Sequence, residues 1–117
     1  MVGSEVWDVV VVGGGPAGAA AALSARAANP DAKVLLLDRS DFPRDKSCGD
    51  GIAPHVLCVL GPLGAADVVE GWTPLLQLSL SRGPHAVHSR MARPVWVIPR
   101  EIFDARLVDH AVAAGAH

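Results

Sequence analysis

Apolar and polar positions alternate in blocks along the first third of the chain, and the blocks predict a strand, a helix and a second strand. Residues 6–12 form an apolar run broken by a single aspartate, which is typical of a strand buried on both faces. Residues 17–28 are alanine-rich without a β-branched side chain, which predicts a helix, and Pro16 suits its first turn. A second apolar run, 34–37, ends at Asp38. This order predicts a right-handed βαβ unit.

The hydrophobic pattern after Asp38 predicts helices and a small antiparallel β portion. Because a doubly wound sheet needs at least three parallel strands and only two are recognisable, we expect a truncated α/β fold. We divide it at residues 1–53, 54–99 and 100–117, the last being a helix that returns to the core of the βαβ unit. The predicted elements are helices over 54–60, 65–70 and 102–114 and strands over 75–81, 86–89 and 95–98.

Composition excludes several classes of protein. Half of the 117 residues are hydrophobic, which favours a packed core, and the net charge of −2 gives no basic field for nucleic acid. Two cysteines ten positions apart form neither a disulfide framework nor a C-x-x-C pair. His85 and His88 have a spacing compatible with a metal site but no third ligand, so we expect no metal. The N-terminal segment reads as neither signal peptide nor membrane span, and we expect a cytoplasmic protein.

A glycine fingerprint lies between the first strand and the first helix. Gly13, Gly15 and Gly18 form G-x-G-x-x-G, and the strand–turn–helix context makes this weak motif specific. Gly13 permits the turn, Gly15 lets a pyrophosphate approach the backbone, and Gly18 lets the helix pack closely on the strand. Asp38, twenty positions after Gly18, is suited to a ribose diol and repels a 2′-phosphate. The fingerprint predicts FAD or NAD and does not decide between them. We therefore expect the chain to be the N-terminal part of an FAD/NAD(P)-binding domain with a Rossmann-like core.

The segment Phe42–Gly51, FPRDKSCGDG, follows directly and is neither helix-like nor strand-like. Together with the fingerprint and the segment VIPREIFDARLVDH, it resembles the N-terminal part of the geranylgeranyl reductase family. These are FAD-dependent reductases of the larger group that includes p-hydroxybenzoate hydroxylase. The matching pattern is F-P-R-x-K-x-C-G-D-G. The resemblance implies that this loop passes over FAD, with backbone N–H groups near the flavin, and that Arg100 contacts the cofactor.

The residues of the loop also fit structural roles that involve no cofactor. Arg44 and Lys46 also fit solvated loop charges, and Asp50 fits an Asx-turn residue before Gly51. Cys48 fits a small buried hydrophobe as well as a redox or catalytic group. The predicted catalytic residues are Cys48 and Asp50. The predicted cofactor-binding residues are Gly13, Gly15, Pro16, Ala17, Gly18, Asp38, Arg39, Arg44, Lys46, Gly49, Gly51 and Arg100.

The resemblance implies an FAD-dependent oxidoreductase that reduces C=C bonds of a polyprenyl chain by hydride transfer from reduced flavin. It also implies an external electron donor, NAD(P)H or ferredoxin, and peripheral membrane contact in the full-length protein. We expect the 117-residue chain to be inactive alone. Two alternatives stay open: a flavin-dependent monooxygenase or halogenase, and a non-catalytic nucleotide-binding module. The halogenase signature W-x-W-x-I-P fails here, because Pro94 stands where its first tryptophan belongs.

Overall fold

The structure, a computed structural model, describes residues 4–117. Strand β1 (Val9–Val12), helix α1 (Pro16–Ala28) and strand β2 (Val34–Leu37) form the predicted βαβ unit. The two strands are parallel, in a register that runs from Val9 opposite Val34 to Val12 opposite Leu37. The α/β prediction is confirmed, although the first strand begins three residues later than predicted.

In the described part of the chain, strand β1 is buried on one face only, so the expectation of burial on both faces is wrong. Val10 and Val12 are 51% and 83% exposed, whereas Val9 and Val11 pack on the core. Helix α1 packs against one face of the two-stranded sheet, and no element of the described part of the chain covers the other. The apolar run therefore predicts the strand correctly but overestimates how much of its side-chain surface is buried.

Three strands form a separate antiparallel sheet in the order β3–β5–β4. Their bounds are Gly51–Ile52 for β3, Leu75–Arg82 for β4 and His85–Val97 for β5. The prediction of separate strands at 86–89 and 95–98 is wrong, since β5 is continuous. Its pairing with β4 jumps from Gln77–Arg90 to Leu75–Val95, so residues 91–94 form an irregularity that includes Pro94, a residue unable to donate to a ladder.

Two further helices complete the fold: α2 (Pro54–Leu60) and α3 (Arg100–Ala113). Short 3₁₀ turns at Gly61–Leu63 and Ala66–Val69 link α2 to the antiparallel sheet. Helix α3 packs on α1 and carries one side of the core. The largest fully buried apolar side chains are Val34, Val68, Ile98 and Leu107, and Trp96 is buried beside them.

The backbone of His117 extends the parallel ladder on the second edge of β2. Its N–H donates to the Val34 carbonyl at 2.9 Å, and its carbonyl accepts from the Leu36 N–H at 2.7 Å. Arg26 of α1 fixes the approach to this position by donating to the carbonyls of Ala114 at 2.7 Å and Ala32 at 2.6 Å. The helix predicted to return to the Rossmann-like core therefore leads into the parallel sheet.

Candidate cofactor-binding site

The glycine loop between β1 and α1 is built around two contacts that exclude side chains. Gly13 has φ +111°, a conformation that glycine tolerates best. A Cβ on Gly18 would come within 1.7 Å of the Gly13 carbonyl oxygen. The helix can therefore start immediately after the strand only if position 18 is glycine. Its N-terminus, at Gly15 and Pro16, faces the end of the sheet where β1 stops.

Asp38 holds the glycine loop from the end of the neighbouring strand. One carboxylate oxygen accepts the Gly14 N–H at 2.8 Å, and the other accepts the Ser40 N–H at 2.9 Å. These hydrogen bonds, with the one from Gly14 foremost, lower the pKa of Asp38 below its ordinary value. The side chain remains exposed, so its unused lone pairs face solvent at the sheet edge.

Arg44 and Arg100 meet on one buried carboxylate. Asp104 is fully buried; it accepts Arg44 Nη1 at 2.7 Å on Oδ2, and Arg100 Nε at 2.7 Å and Nη2 at 2.9 Å. The Arg44 guanidinium also lies over the Phe42 ring, 4.8 Å from its centroid. A Cβ on Gly15 would lie 3.8 Å from Arg44 Nη2 and 3.9 Å from Arg100 Nη2. Both guanidinium groups therefore stand at the N-terminus of α1.

Cys48 is an exposed thiol on the other side of Arg100. Hydrogen bonds from the Asp50 N–H and from Arg100 lower the pKa of the Cys48 thiol, because both donors stabilise the thiolate. Hydrogen bonding to Asp104 in turn raises the pKa of Arg100, which stays protonated. The exposure of Cys48 and the lowered pKa of its thiol distinguish it from a buried core cysteine.

Two clefts open beside the arginine pair. The first, about 710 Å³, is lined mainly by polar and charged residues, among them Asp38, Arg39, Arg44 and Lys46. The second, about 330 Å³, is mainly apolar. Its lining comprises Pro16, Ala20, Cys48, Gly51, Ile52, His55, Val56, Val59, Leu60, Arg100, Phe103 and Leu107. Arg44 borders the first cleft and Arg100 the second, so the arginine pair separates a polar compartment from an apolar one.

The backbone of the FPRDKSCGDG loop turns at Asp50 rather than at a glycine. Asp50 has φ 60°, a conformation that aspartate tolerates better than most residues, whereas Gly49 and Gly51 do not have positive φ. The Asp50 carbonyl accepts the Ile98 N–H at 2.9 Å, and Gly51 is in β3. Cys48, predicted as either a buried hydrophobe or a functional thiol, is exposed.

The remaining predicted residues lie at the margin of the site. Ala17, Arg39 and Lys46 are exposed, and the Lys46 N–H is held by the neighbouring Asp45 carboxylate at 2.8 Å. Within residues 4–117, no group of three or more histidine, cysteine, aspartate or glutamate side chains is arranged to hold a metal ion. No helix of the same residues is long and apolar enough to cross a membrane.

Sequence reasoning missed the central position of Asp104. Asp104 stands four positions after Arg100 on the same helix, and the two residues form an i,i+4 ion pair. The second pair, from Arg44, spans 60 positions and has no local signal. Gly14 and Phe42 were also missed. Gly14 is buried against the Phe42 ring, to which a Cβ would come within 3.0 Å.

Comparison with known proteins finds similarity over the part of the chain that contains the glycine loop. The model of the FAD dependent oxidoreductase family matches residues 8–43, which contain the glycine loop and Asp38. A menaquinone reductase of Mycolicibacterium smegmatis is 54% identical over 63 residues, covering 54% of this chain and 15% of the relative. Digeranylgeranylglycerophospholipid reductase 2 of Methanopyrus kandleri is 36% identical over 112 residues, covering 94% of this chain and 27% of the relative. The chain thus spans at most about a quarter of these relatives.

Solved structures give the same fold. A flavoprotein/dehydrogenase of Cytophaga hutchinsonii superposes with a TM-score of 0.78 at 29% identity, over 93% of this chain and 29% of that one. A myxobacterial chondrochloren halogenase, an FAD-dependent halogenase, has a TM-score of 0.79 at 26% identity, over 97% of this chain and 28% of that one.

The resemblance to geranylgeranyl reductases is confirmed by relatives that match nearly the whole chain, and FAD is the cofactor of the matching family. On these findings the chain is similar to the FAD dependent oxidoreductase family over residues 8–43 and to a digeranylgeranylglycerophospholipid reductase over nearly its whole length.

Proposed function

We propose that the chain forms the FAD-binding segment of a reductase that saturates C=C bonds in a polyprenyl chain. Two of its relatives are, by name, a menaquinone reductase and a digeranylgeranylglycerophospholipid reductase. Both named substrates are lipids that carry prenyl chains. The relative that matches nearly the whole chain, at 36% identity, is the lipid reductase.

The observation that carries the proposal is the order of three chemical environments along one surface. The polar cleft beside Asp38 suits a ribose diol, because a carboxylate accepts hydrogen bonds from two hydroxyl groups. Gly15 and the two guanidinium groups suit a pyrophosphate, which is anionic and needs close backbone approach. The apolar cleft beyond Arg100 suits a flat ring system. Adenosine, pyrophosphate and flavin follow one another in the same order in FAD.

The residues present fit this cofactor by their donor chemistry. Arg44 and Arg100 hold bidentate donors beside a glycine that leaves room for phosphate oxygens. Bound FAD would supply hydride chemistry, which no side chain provides. Cys48 and the backbone around Gly51 border the apolar cleft, where they would orient the ring and contact the substrate. We assign Asp50 a supporting role, since its N–H bonds the Cys48 thiol and its carbonyl bonds Ile98.

The proposal extends to partners. A prenylated lipid resides in a membrane, so the full-length protein contacts the membrane surface while it acts. Electrons come from outside the chain, from NAD(P)H or a ferredoxin, and the two donors are separated by supplying each in turn to the FAD-loaded protein.

Binding is tested on the longest product of the gene that contains this sequence, by titrating FAD and following quenching of flavin fluorescence. ADP should compete with FAD, whereas adenosine 2′,5′-bisphosphate, which lacks the pyrophosphate and carries a 2′-phosphate, should compete poorly because Asp38 repels the 2′-phosphate. Failure of both FAD and ADP to bind would overturn the proposed cofactor site.

The reaction is tested on the longest product of the gene that contains this sequence, loaded with FAD and reduced anaerobically with dithionite. A digeranylgeranylated phospholipid should gain one H₂ for each double bond, measured by mass spectrometry. Substrate-dependent oxygen consumption with halide incorporation, and no gain of H₂, would favour the halogenase alternative that the chondrochloren halogenase fold represents.

A further inference from the structure

We propose that Asp104 is a positioning residue for cofactor binding: its buried carboxylate holds Arg44 and Arg100 together at the N-terminus of α1, where they form a bidentate site for a diphosphate. This inference rests on the proposed function, because it concerns the phosphate part of the same site. It assigns a role to a residue that lines neither cleft.

The charge balance of the cluster favours an anion. Two guanidinium groups share one carboxylate, so the cluster keeps a net positive charge after its internal pairing. Each arginine side chain is 16% exposed, whereas Asp104 is fully buried. The surplus charge is therefore on the exposed side, toward Gly15, and adds to the partial positive charge of the helix N-terminus.

The geometry explains why the single carboxylate of Asp104 is enough to position both guanidinium groups. Arg100 uses Nε and Nη2 on Asp104 in a forked contact, and Arg44 uses Nη1. The Nη2 groups of both residues still face the position of a Gly15 Cβ, at 3.8 and 3.9 Å. Asp104 thereby fixes the planes of the two guanidinium groups. Each guanidinium has five N–H donors, so several donors of each arginine are not used by Asp104.

Burial makes the arrangement stiff. Within residues 4–117, every buried side-chain N or O atom has a hydrogen-bond partner, so Asp104 is satisfied by the arginines alone. A phosphate group then meets donors that are already oriented, which lowers the entropic cost of binding. The ion pairs of Asp104 also connect the loop that carries Arg44 to helix α3. Because Arg44 lines the polar cleft and Arg100 lines the apolar cleft, the same ion pairs connect the two clefts.

The test compares Asp104→Asn with Asp109→Asn, an exposed carboxylate of the same helix whose removal changes the net charge equally. Affinities for ADP and for adenosine are measured by calorimetry on the longest product of the gene that contains this sequence. Losing the charge-assisted pairs should weaken ADP about tenfold or more in Asp104→Asn and leave adenosine nearly unchanged. Asp109→Asn should match the original chain with both ligands.

A second readout needs no ligand. The Arg100 Nε–H, which bonds Asp104, should give a slowly exchanging ¹⁵N signal in NMR spectra, and Asp104→Asn should abolish its protection. If that variant does not fold, Arg44→Gln is used instead, because it leaves Asp104 paired with Arg100. Arg44→Gln should still weaken the affinity for ADP, whereas Arg93→Gln on strand β5 should not.

The outcomes separate the two proposals. Equal losses for ADP and adenosine in Asp104→Asn, or unchanged ADP affinity in either Asp104→Asn or Arg44→Gln, would show that the cluster is only structural and overturn the inference, leaving FAD binding intact. Absence of FAD and ADP binding by the original chain would overturn the proposed function and the inference together, even if the Arg100 signal is protected.

Discussion

Gly18 lies against the carbonyl oxygen of Gly13, so close that a Cβ on Gly18 would come within 1.7 Å of that oxygen. The obstacle is backbone at the strand end, which cannot rotate away as a flexible side chain would. This contact joins the first helix to the first strand and sets where the N-terminus of α1 points.

Replacing Gly18 by alanine should therefore destabilise the fold. We expect a loss of about 1–3 kcal/mol in the free energy of unfolding, since the added methyl must displace the strand end or the helix. Urea denaturation followed by circular dichroism measures it. Gly61→Ala is the control, because Gly61 has helical φ −56° and no atom lies within 4 Å of the place that an added Cβ would take. Equal stability of both variants would contradict the close-packing explanation.

Asp38 should make the stability of the chain depend on pH in the acid range. Its pKa is lowered chiefly by the Gly14 N–H, so its hydrogen bonds stabilise the fold while the carboxylate is charged. That contribution is complete above the ordinary value of 3.8 and is lost as pH falls through the lower folded value. Asp38→Asn should thus be less stable than the original chain at neutral pH, and the difference should shrink at the acid end.

The measurement is urea unfolding of both proteins across that pH range, with Asp31→Asn as an exposed control of equal charge change. A difference that stays constant to the lowest pH would show that Asp38 stabilises the loop by packing alone. No difference at neutral pH would show that the Gly14 hydrogen bond contributes nothing net.

Cys48 should react with iodoacetamide at a lower pH than an ordinary thiol. The Asp50 N–H and then Arg100 stabilise its thiolate, so the midpoint of its alkylation rate against pH should lie below 9.0. A Cys58→Ser background isolates this thiol. Arg100→Gln should move the midpoint upward by part of the shift, because the Asp50 contribution remains. A midpoint at or above 9.0 in the Cys58→Ser chain would contradict the prediction.

The local features of the fold were predictable because each rests on a short stretch of sequence. Glycine spacing, the alanine-rich helix and the apolar run 34–37 identify the βαβ unit without tertiary information. The continuous strand β5 was not predictable, since Pro94 reads as a break and only pairing with β4 shows that the ladder resumes beyond it. Burial of the first strand was overestimated because it depends on what covers Val10 and Val12.

The site, too, has parts that a local motif predicts and parts that depend on the tertiary fold. The individual candidates Gly15, Arg44 and Arg100 could be chosen from motifs, but their meeting point could not. It depends on Asp104, which is 60 positions from Arg44, and on the packing of α3 against α1. Likewise, the positive φ in the loop falls on Asp50 rather than on a glycine, and the Asp50 carbonyl accepts the Ile98 N–H from a segment 48 positions away.

Gly15 offers a test that separates ligand binding from folding. Its φ of −70° is open to any residue, and a Cβ there would meet the two arginines only at ordinary contact distances of 3.8 and 3.9 Å. Gly15→Ala should therefore change the free energy of unfolding by less than about 1 kcal/mol, the scale of an N-cap substitution.

The same methyl group would occupy the space in front of both guanidinium groups. FAD and ADP should then bind at least about tenfold more weakly to Gly15→Ala, because the phosphates cannot approach the backbone or reach both arginines at once. Adenosine, which has no phosphate, should bind as before. Calorimetric titrations of the three ligands, combined with urea unfolding, decide the matter. Undiminished ADP affinity in a folded Gly15→Ala chain would mean that the pyrophosphate lies elsewhere, whereas a selective loss locates it between the helix N-terminus and the arginine pair.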